Sequence, residues 1–330
     1  MAEKNGSSYL GALGSRHNRS LLIRRKTEVL LVYAFLAVFM IAAVMMNSRF
    51  ASARNIRNLL SSNIGLLFVS YAQLFIIMLG GVDLSVGSVI SLVNVLMVTL
   101  IGNSESPLRW LLAMGVSLLA GALIGLINGL IVVKGNQQPI IATLATSTFF
   151  GGVALYIMPG PGGSLPSSLT KFVTKGWNFV FPVLLFVVVT AAIWLLLYRT
   201  KTGRYITAIG GNEVSARSSG IEVGREKMKA FMICSIMSAL AGIFITCFAA
   251  SGSPLIGELY SQRSITAAAV GGAALAGGKG SVIGCIAASL ILGIINNILN
   301  LKGVSSYYQF VLQGVILIVA LALSAVRSKM

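Results

Sequence analysis

Residues 110–133 read WLLAMGVSLLAGALIGLINGLIVV, an apolar run without a single charged side chain. As a helix rising about 1.5 Å per residue, such a run crosses the roughly 30 Å hydrocarbon core of a bilayer. The rest of the chain has the same character, because 56% of its 330 residues are hydrophobic and only 10% are charged. Ordinary soluble domains carry about 25% charged residues, so this chain has too little polar sequence to cover an apolar interior. The composition predicts an integral membrane protein built from helices, since backbone groups in lipid must be satisfied within each segment.

Similar apolar segments recur along the chain and predict an all-α, polytopic transmembrane helical bundle of about ten spans. The segments are 29–46, 62–80, 86–102, 110–133, 140–158, 180–198, 230–250, 264–277, 281–300 and 306–326. The eighth segment is short and rich in alanine and glycine, so nine spans is the alternative.

The basic residues are distributed unevenly between the two sides that ten spans would define. One side holds 17 of the 25 Lys and Arg residues and the other holds eight, and the richer side is expected to be cytoplasmic. This bias explains the net charge of +17 without a nucleic-acid partner, because the basic residues form no single stripe. We therefore expect both termini in the cytoplasm. The expected organisation is a cytoplasmic tail at 1–28, a single transmembrane domain at 29–326 with a cytoplasmic loop at 199–229, and a cytoplasmic tail at 327–330.

Residues for hydrolytic or metal chemistry are missing from the predicted spans. His17 is the only histidine and lies in the polar amino-terminal segment, so we expect no metal site and no catalytic triad in the membrane. The glycine-rich stretch 277–281 departs twice from a Walker A motif, with Ala273 where the first glycine belongs and Gly280 where a Ser or Thr belongs. We expect no catalytic residues and no ATP hydrolysis by this chain.

Asp83 is the only aspartate and lies at a boundary between two predicted spans. Gly80 and Gly81 before it suit a helix end, because glycine adopts left-handed backbone angles freely. Asp83 would then accept from the free N–H groups of the next helix, near Ser85 and Gly87. We expect a structural role for this motif, and a role in ion coupling or substrate contact is the alternative.

Several polar side chains interrupt otherwise apolar segments. They could line the path of a polar solute, or they could hold neighbouring helices together by hydrogen bonds. These candidates are Gln73, Asn94, Asn128, Thr143, Thr146 and Asn296.

Three stretches together resemble the permease subunits of bacterial ribose-type ABC importers, a family that also serves galactose, xylose and arabinose. They are GGVDLSVGS at 80–88; TGR at 202–204 with AIGGNE at 208–213 and SGI at 219–221; and GG at 271–272 with LAGGKG at 275–280 and NLKGVSSYYQ at 300–309. They occur in family order over about residues 50–325. The resemblance implies ten helices with both ends inside, in the bacterial inner membrane.

The resemblance also implies partners: a second permease copy, identical or related, a cytoplasmic ABC-type ATPase and a periplasmic substrate-binding protein. The chain itself would need no cofactor, since ATP and Mg²⁺ are used by the ATPase. The stretch 208–221 corresponds to the cytoplasmic coupling segment of the family. Gly211, Asn212, Glu213 and Gly220 are therefore the expected contacts to the ATPase.

The predicted function is alternating access, driven by the separate ATPase, for a sugar or similar small polar solute that the binding protein delivers. The alternative is a secondary transporter or channel that works alone. Ion-coupled transporters usually place carboxylates or histidines at depth, and the predicted spans almost lack them.

Overall fold

The computed structural model describes residues 30–329, so the predicted amino-terminal tail at 1–28 lies outside the described residues. Within the described residues the regular secondary structure is helical apart from two very short strands, and a short 3-10 helix at Trp177–Phe179 precedes α7. The helices are α1 (Leu30–Met46), α2 (Ala53–Met78), α3 (Val86–Ile101), α4 (Pro107–Lys134), α5 (Pro139–Ile157), α6 (Ser167–Lys175), α7 (Val180–Arg199), α8 (Lys201–Gly211), α9 (Glu213–Ser218), α10 (Val223–Ala249), α11 (Glu258–Val270), α12 (Val282–Leu301) and α13 (Ser306–Lys329). The strands β1 (Gly162–Ser164) and β2 (Ser251–Gly252) pair antiparallel, with Gly162 opposite Gly252.

Helices α2 and α10 form the centre of the bundle. Helix α10 packs against α2, α3 and α4, and every residue of α2 from Asn63 to Met78 is buried. Helices α4, α5 and α7 surround this centre and expose large apolar side chains on their outer faces. Examples are Leu111, Leu119, Leu144, Phe149, Val188 and Leu195. Such an outer surface belongs in lipid, which confirms a polytopic membrane protein.

Helices α4 and α10 approach closely along a stripe of small residues. A Cβ added at Gly121 would lie 2.9 Å from the carbonyl oxygen of Ser235, and one added at Gly125 would lie 2.6 Å from that of Phe231. The glycines are four residues apart and therefore share one face of α4. Without a hydrophobic driving force between helices in lipid, this close backbone packing supplies much of the attraction.

Replacing Gly125 by Val should therefore separate α4 from α10 and destabilise the bundle by about 1–3 kcal/mol or more, as overpacking does. Gly115→Val on the same helix is the matched control, because a Cβ at Gly115 meets nothing within 4 Å. Thermal unfolding of the purified protein in detergent measures the difference. Equal melting temperatures for the two variants would contradict the assigned packing.

The prediction of about ten spans is wrong. Within residues 30–329, six helical stretches are long and apolar enough to cross a membrane: Ala53–Met78, Pro107–Lys134, Pro139–Ile157, Ser167–Arg199, Val223–Ala249 and Val282–Leu301. Helices α1 and α3 are apolar but shorter than 18 residues. A hydropathy window measures composition and not helix length, so it counted these shorter helices as spans.

The predicted eighth segment, 264–277, shows the same error most clearly. Helix α11 has 13 residues and ends at Val270, and the chain is not helical from 271 to 281. Gly272 and Gly277 have φ angles of +92° and +94°, which a helix does not allow. The placement of both termini in the cytoplasm rested on counting basic residues between ten assigned spans, so it is not supported once that assignment is wrong.

Candidate functional site

The chain breaks its helical path directly after α2. The N–H of Gly80 donates to the carbonyl of Ile77 at 2.9 Å, and the N–H of Gly81 donates to that of Ile76 at 3.0 Å. Gly80 has a φ of +81°, so this end is a Schellman motif. The helix stop predicted at the two glycines is confirmed. We call the non-helical residues 79–85 the break.

The break lies inside the bundle. Asp83 and Ser85 are fully buried, and the hydroxyl of Ser85 accepts from the amide of Asn128 at 2.8 Å. Asn128 in turn accepts from Thr146 at 2.6 Å. Asn128 lies six residues before the end of α4 and Thr146 seven residues after the start of α5, which is about 10 Å from either helix end at 1.5 Å per residue. Helix α3 therefore starts well inside the bundle, which explains its length of only 16 residues.

Side chains of α2, α5 and α11 form hydrogen bonds with the backbone N–H and carbonyl groups of the break. With its oxygen and nitrogen assigned by their partners, the Gln73 amide bonds both the N–H and the carbonyl of Asp83 at 3.1 Å. The N–H of Leu84 donates to the Thr143 hydroxyl at 3.0 Å, and the carbonyl of Leu84 accepts from Ser261 at 3.2 Å. Irregular backbone at membrane depth is tolerated only where protein groups replace water, and these side chains do so.

Asp83 serves the break through its carboxyl group. Its Oδ1 accepts from the N–H of Ser85 at 2.8 Å and from the Ser85 hydroxyl at 2.6 Å. Its Oδ2 accepts from the thiol of Cys234 at 3.5 Å. No Lys or Arg of the described residues forms an ion pair with it. Asp83 therefore accepts from Ser85, the residue before α3, and not from an N–H group of α3 itself as expected.

The six polar candidates separate into three groups. Gln73, Asn128 and Thr143 bond residues 83–85 from α2, α4 and α5, and Thr146 bonds Asn128. Each is engaged with other protein groups, and their part in a solute path stays a prediction.

The other two candidates lie elsewhere. Asn94 is fully buried and accepts from the N–H of Ser253 at 2.6 Å, which fixes the chain beside β2 to α3. Asn296 accepts from Gln313 at 3.0 Å, and Gln313 accepts from Arg263 at 2.9 Å. Neither side chain contributes to the break.

The predicted coupling segment folds as two short helices at the end of the bundle. Asn212 separates α8 from α9, and its side chain accepts from the N–H of Ser215 at 2.9 Å, as an N-cap does. Gly220 has a φ of +81° and turns the chain towards α10. Gly211, Asn212 and Gly220 are exposed, as a docking surface requires.

Glu213 connects α9 to α10. Its carboxylate lies 2.7 Å from Lys227 and 3.3 Å from Arg217. The hydrogen bond from Lys227 holds the pKa of Glu213 below its ordinary value. Because this pKa is lower in the folded than in the unfolded protein, ionised Glu213 stabilises the folded state at pH values above its unfolded-state pKa. That stabilisation is lost as the pH falls through the folded-state pKa.

A junction of four glycines joins the coupling segment to the break. We call Gly80, Gly210, Gly277 and Gly278 the glycine junction. A Cβ added at Gly210 would lie only 1.7 Å from the carbonyl oxygen of Met78, and one added at Gly277 would lie 2.5 Å from that of Gly210. The N–H of Gly278 donates to Met78 at 2.8 Å. Helix α8 thus touches the end of α2 backbone to backbone, two residues before the first glycine of the break.

Sequence reasoning missed several residues of this arrangement. Gly210, Ser261 and Cys234 were not assigned a role, and the glycines at 277–278 were used only in the family resemblance and to exclude a Walker A motif. Their partners are more than 100 residues away in the chain, at Met78, Leu84 and Asp83, so no local pattern indicates them. Within residues 30–329 no three His, Cys, Asp or Glu side chains cluster as metal ligands would.

A multi-pass helical bundle with a buried break, and with a surface segment in backbone contact with the helix end that precedes the break, fits a membrane transport protein. Residues 55–321 match the family model described as branched-chain amino acid transport system / permease component, and the chain belongs to this family.

Three curated relatives of this chain are sugar permeases. The ribose import permease protein RbsC of Bacillus subtilis is 38% identical over 300 residues, covering 89% of this chain and 92% of the relative. RbsC of Escherichia coli K12 is 33% identical over 87% of this chain and 91% of its own length. The L-arabinose transport system permease protein AraH of Escherichia coli K12 is 34% identical and covers 89% of both chains. No solved structure matches the chain.

Proposed function

We propose that this chain is the membrane-spanning permease subunit of an ATP-driven sugar importer of the bacterial inner membrane. The names of the relatives support a sugar, since ribose, D-allose and L-arabinose all occur among them. The observation that carries the mechanism is the glycine junction, where an exposed segment meets the break in the bundle.

The work of transport is divided between this chain and its partners. A periplasmic binding protein delivers the solute, and a cytoplasmic ABC-type ATPase uses ATP and Mg²⁺. A second permease copy, identical or related, completes the membrane part. The loop 199–229 lies on the cytoplasmic side and receives the ATPase at α9. Because glycine leaves no side chain between the backbones of Gly210 and Met78, a displacement of α8 acts directly on the end of α2 and on the break.

Uptake in cells that lack the chain tests the solute class. Radiolabelled ribose, allose, arabinose and leucine are supplied to the deletion strain and to the strain complemented with the chain. We expect complementation to restore uptake of at least one sugar and to leave leucine uptake unchanged. Restored leucine uptake alone would favour the amino acid named in the family description and would contradict the sugar assignment.

Val214 is the apolar residue that α9 offers to a partner. Its side chain is 75% exposed and lies within the proposed docking surface, where the bound ATPase would cover it. Val214→Glu should reduce recovery of the ATPase with the tagged permease by about tenfold or more, because a buried unpaired carboxylate costs several kcal/mol. Ser218→Glu, at the exposed end of the same helix, is the control for the added charge. Equal recovery with both variants would place the docking surface elsewhere.

A further inference from the structure

A cavity of about 1130 Å³ opens between the start of α2, helix α6 and the ends of α10 and α12. Its lining is strongly basic and contains no Asp or Glu. The cationic residues are Arg49, Arg54, Arg57, Lys171 and Lys175. Among the described residues none of these five forms an ion pair with a carboxylate.

The amino terminus of α2 adds partial positive charge beside two of these arginines. Arg54 and Arg57 lie in the first turns of α2, whose amino terminus carries a partial positive charge and has no acidic residue in its first turn. Basic side chains at a helix amino terminus are unfavourable unless an anion lies beside them. The positive potential of the cavity therefore favours binding of an anion.

An apolar groove of about 190 Å³ continues from this cavity along α2. Phe179 lines both spaces. The α2 residues of the cavity end at Ser61, and those of the groove run from Leu60 to Leu67. Helices α7 and α12 supply the other walls, with side chains such as Val183 and Leu290. At 1.5 Å per residue, the stretch from Arg57 to Leu67 is about 15 Å long, which suits a substantial part of an acyl chain.

The lining of the groove is apolar, as the site of a hydrocarbon chain requires. Charge in the cavity and apolar surface in the groove follow one another along α2.

We propose that the cavity and groove form one binding site for an anionic phospholipid. The phosphate group lies among the five cationic side chains, and one acyl chain fills the groove beside α7 and α12. A free phosphate would use the cavity alone and would leave the groove unused. The site is separate from the break and from the coupling segment, and it does not depend on the proposed solute.

Native mass spectrometry of the full-length permease in a neutral detergent tests this site. The probes are phosphatidylglycerol, phosphatidylcholine with the same acyl chains, and inorganic phosphate. We expect clear preference for phosphatidylglycerol. Arg54→Gln/Arg57→Gln should lower its binding about thirtyfold, since each basic residue contributes roughly 1 kcal/mol to anionic lipid binding.

Further variants keep the test decisive. Lys171→Gln/Lys175→Gln removes two charges from a different helix, and should weaken binding similarly if the α2 variant fails to fold. Val183→Trp, at a half-exposed groove position, should weaken lipid binding and leave phosphate binding unchanged. Lys134→Gln/Lys201→Gln removes two exposed charges elsewhere and should leave lipid binding at the wild-type level.

Three results would overturn the proposal. Equal binding of both lipids would remove the role of the phosphate charge. Displacement of phosphatidylglycerol by inorganic phosphate, with no effect of Val183→Trp, would show an anion site without a lipid. Unchanged lipid binding in both charge variants, together with loss of binding-protein-dependent uptake, would show a docking surface for a soluble protein instead.

Discussion

Gly210→Ala is expected to disrupt both the stability and the transport activity of this protein. The added Cβ would lie 1.7 Å from the carbonyl oxygen of Met78 and 2.5 Å from the nitrogen of Gly278, and both are backbone atoms that cannot rotate away. Helix α8 must therefore move from the end of α2. We expect a loss of about 1–3 kcal/mol in stability, and a larger proportional loss of uptake because the coupling segment no longer contacts the break.

The neighbouring residue provides a matched control for stability. A Cβ at Gly211 meets nothing within 4 Å, and alanine favours a helix more than glycine does. Gly211→Ala should therefore melt at or above the wild-type temperature, whereas Gly210→Ala should melt several degrees lower, at about 2–4 °C per kcal/mol. Thermal unfolding in detergent measures both. If the two variants melt together, helix α8 does not pack on α2 in the way described.

Substitutions of Asp83 separate its structural role from a role for its charge. Asp83→Ala removes the acceptor for the N–H and the hydroxyl of Ser85, and leaves two buried donors without a partner. Each such donor costs about 1–3 kcal/mol. Asp83→Asn keeps an Oδ1 acceptor of the same size, so it should retain most of the stability and most of the uptake.

Unfolding and uptake measured on the same variants distinguish the alternatives for Asp83. The hydrogen-bond arrangement predicts that Asp83→Asn behaves much like wild type and that Asp83→Ala loses both properties. A stable Asp83→Asn protein without uptake would instead show that the carboxylate charge takes part in transport. That result would contradict a purely structural break.

Local features of this fold could be predicted from the sequence, and long-range ones could not. The helix stop at Gly80 and the acceptor role of Asp83 follow from the backbone preferences of glycine and the short side chain of aspartate. The assembly of Gln73, Asn128 and Thr143 around one loop depends on the packing of three helices, which no local pattern specifies.

The span count failed for a related reason. Helix α3 is as apolar as a span, but it starts inside the bundle after the non-helical break and has only 16 residues, which is shorter than a membrane-spanning helix needs. Helix α11 ends early because glycines follow it. Hydropathy indicates which side chains prefer lipid or the protein interior, but it does not indicate where each helix begins and ends.

ATP-dependent uptake in liposomes tests the proposed function most directly. The permease is reconstituted alone, or together with the ATPase recovered with it and the binding protein, and sugar uptake is measured with and without ATP on the ATPase side. We predict uptake only with all three proteins and ATP, and none with the Val214→Glu permease. Uptake of the sugar by the permease alone, independent of ATP, would contradict the account and identify a transporter that works without partners.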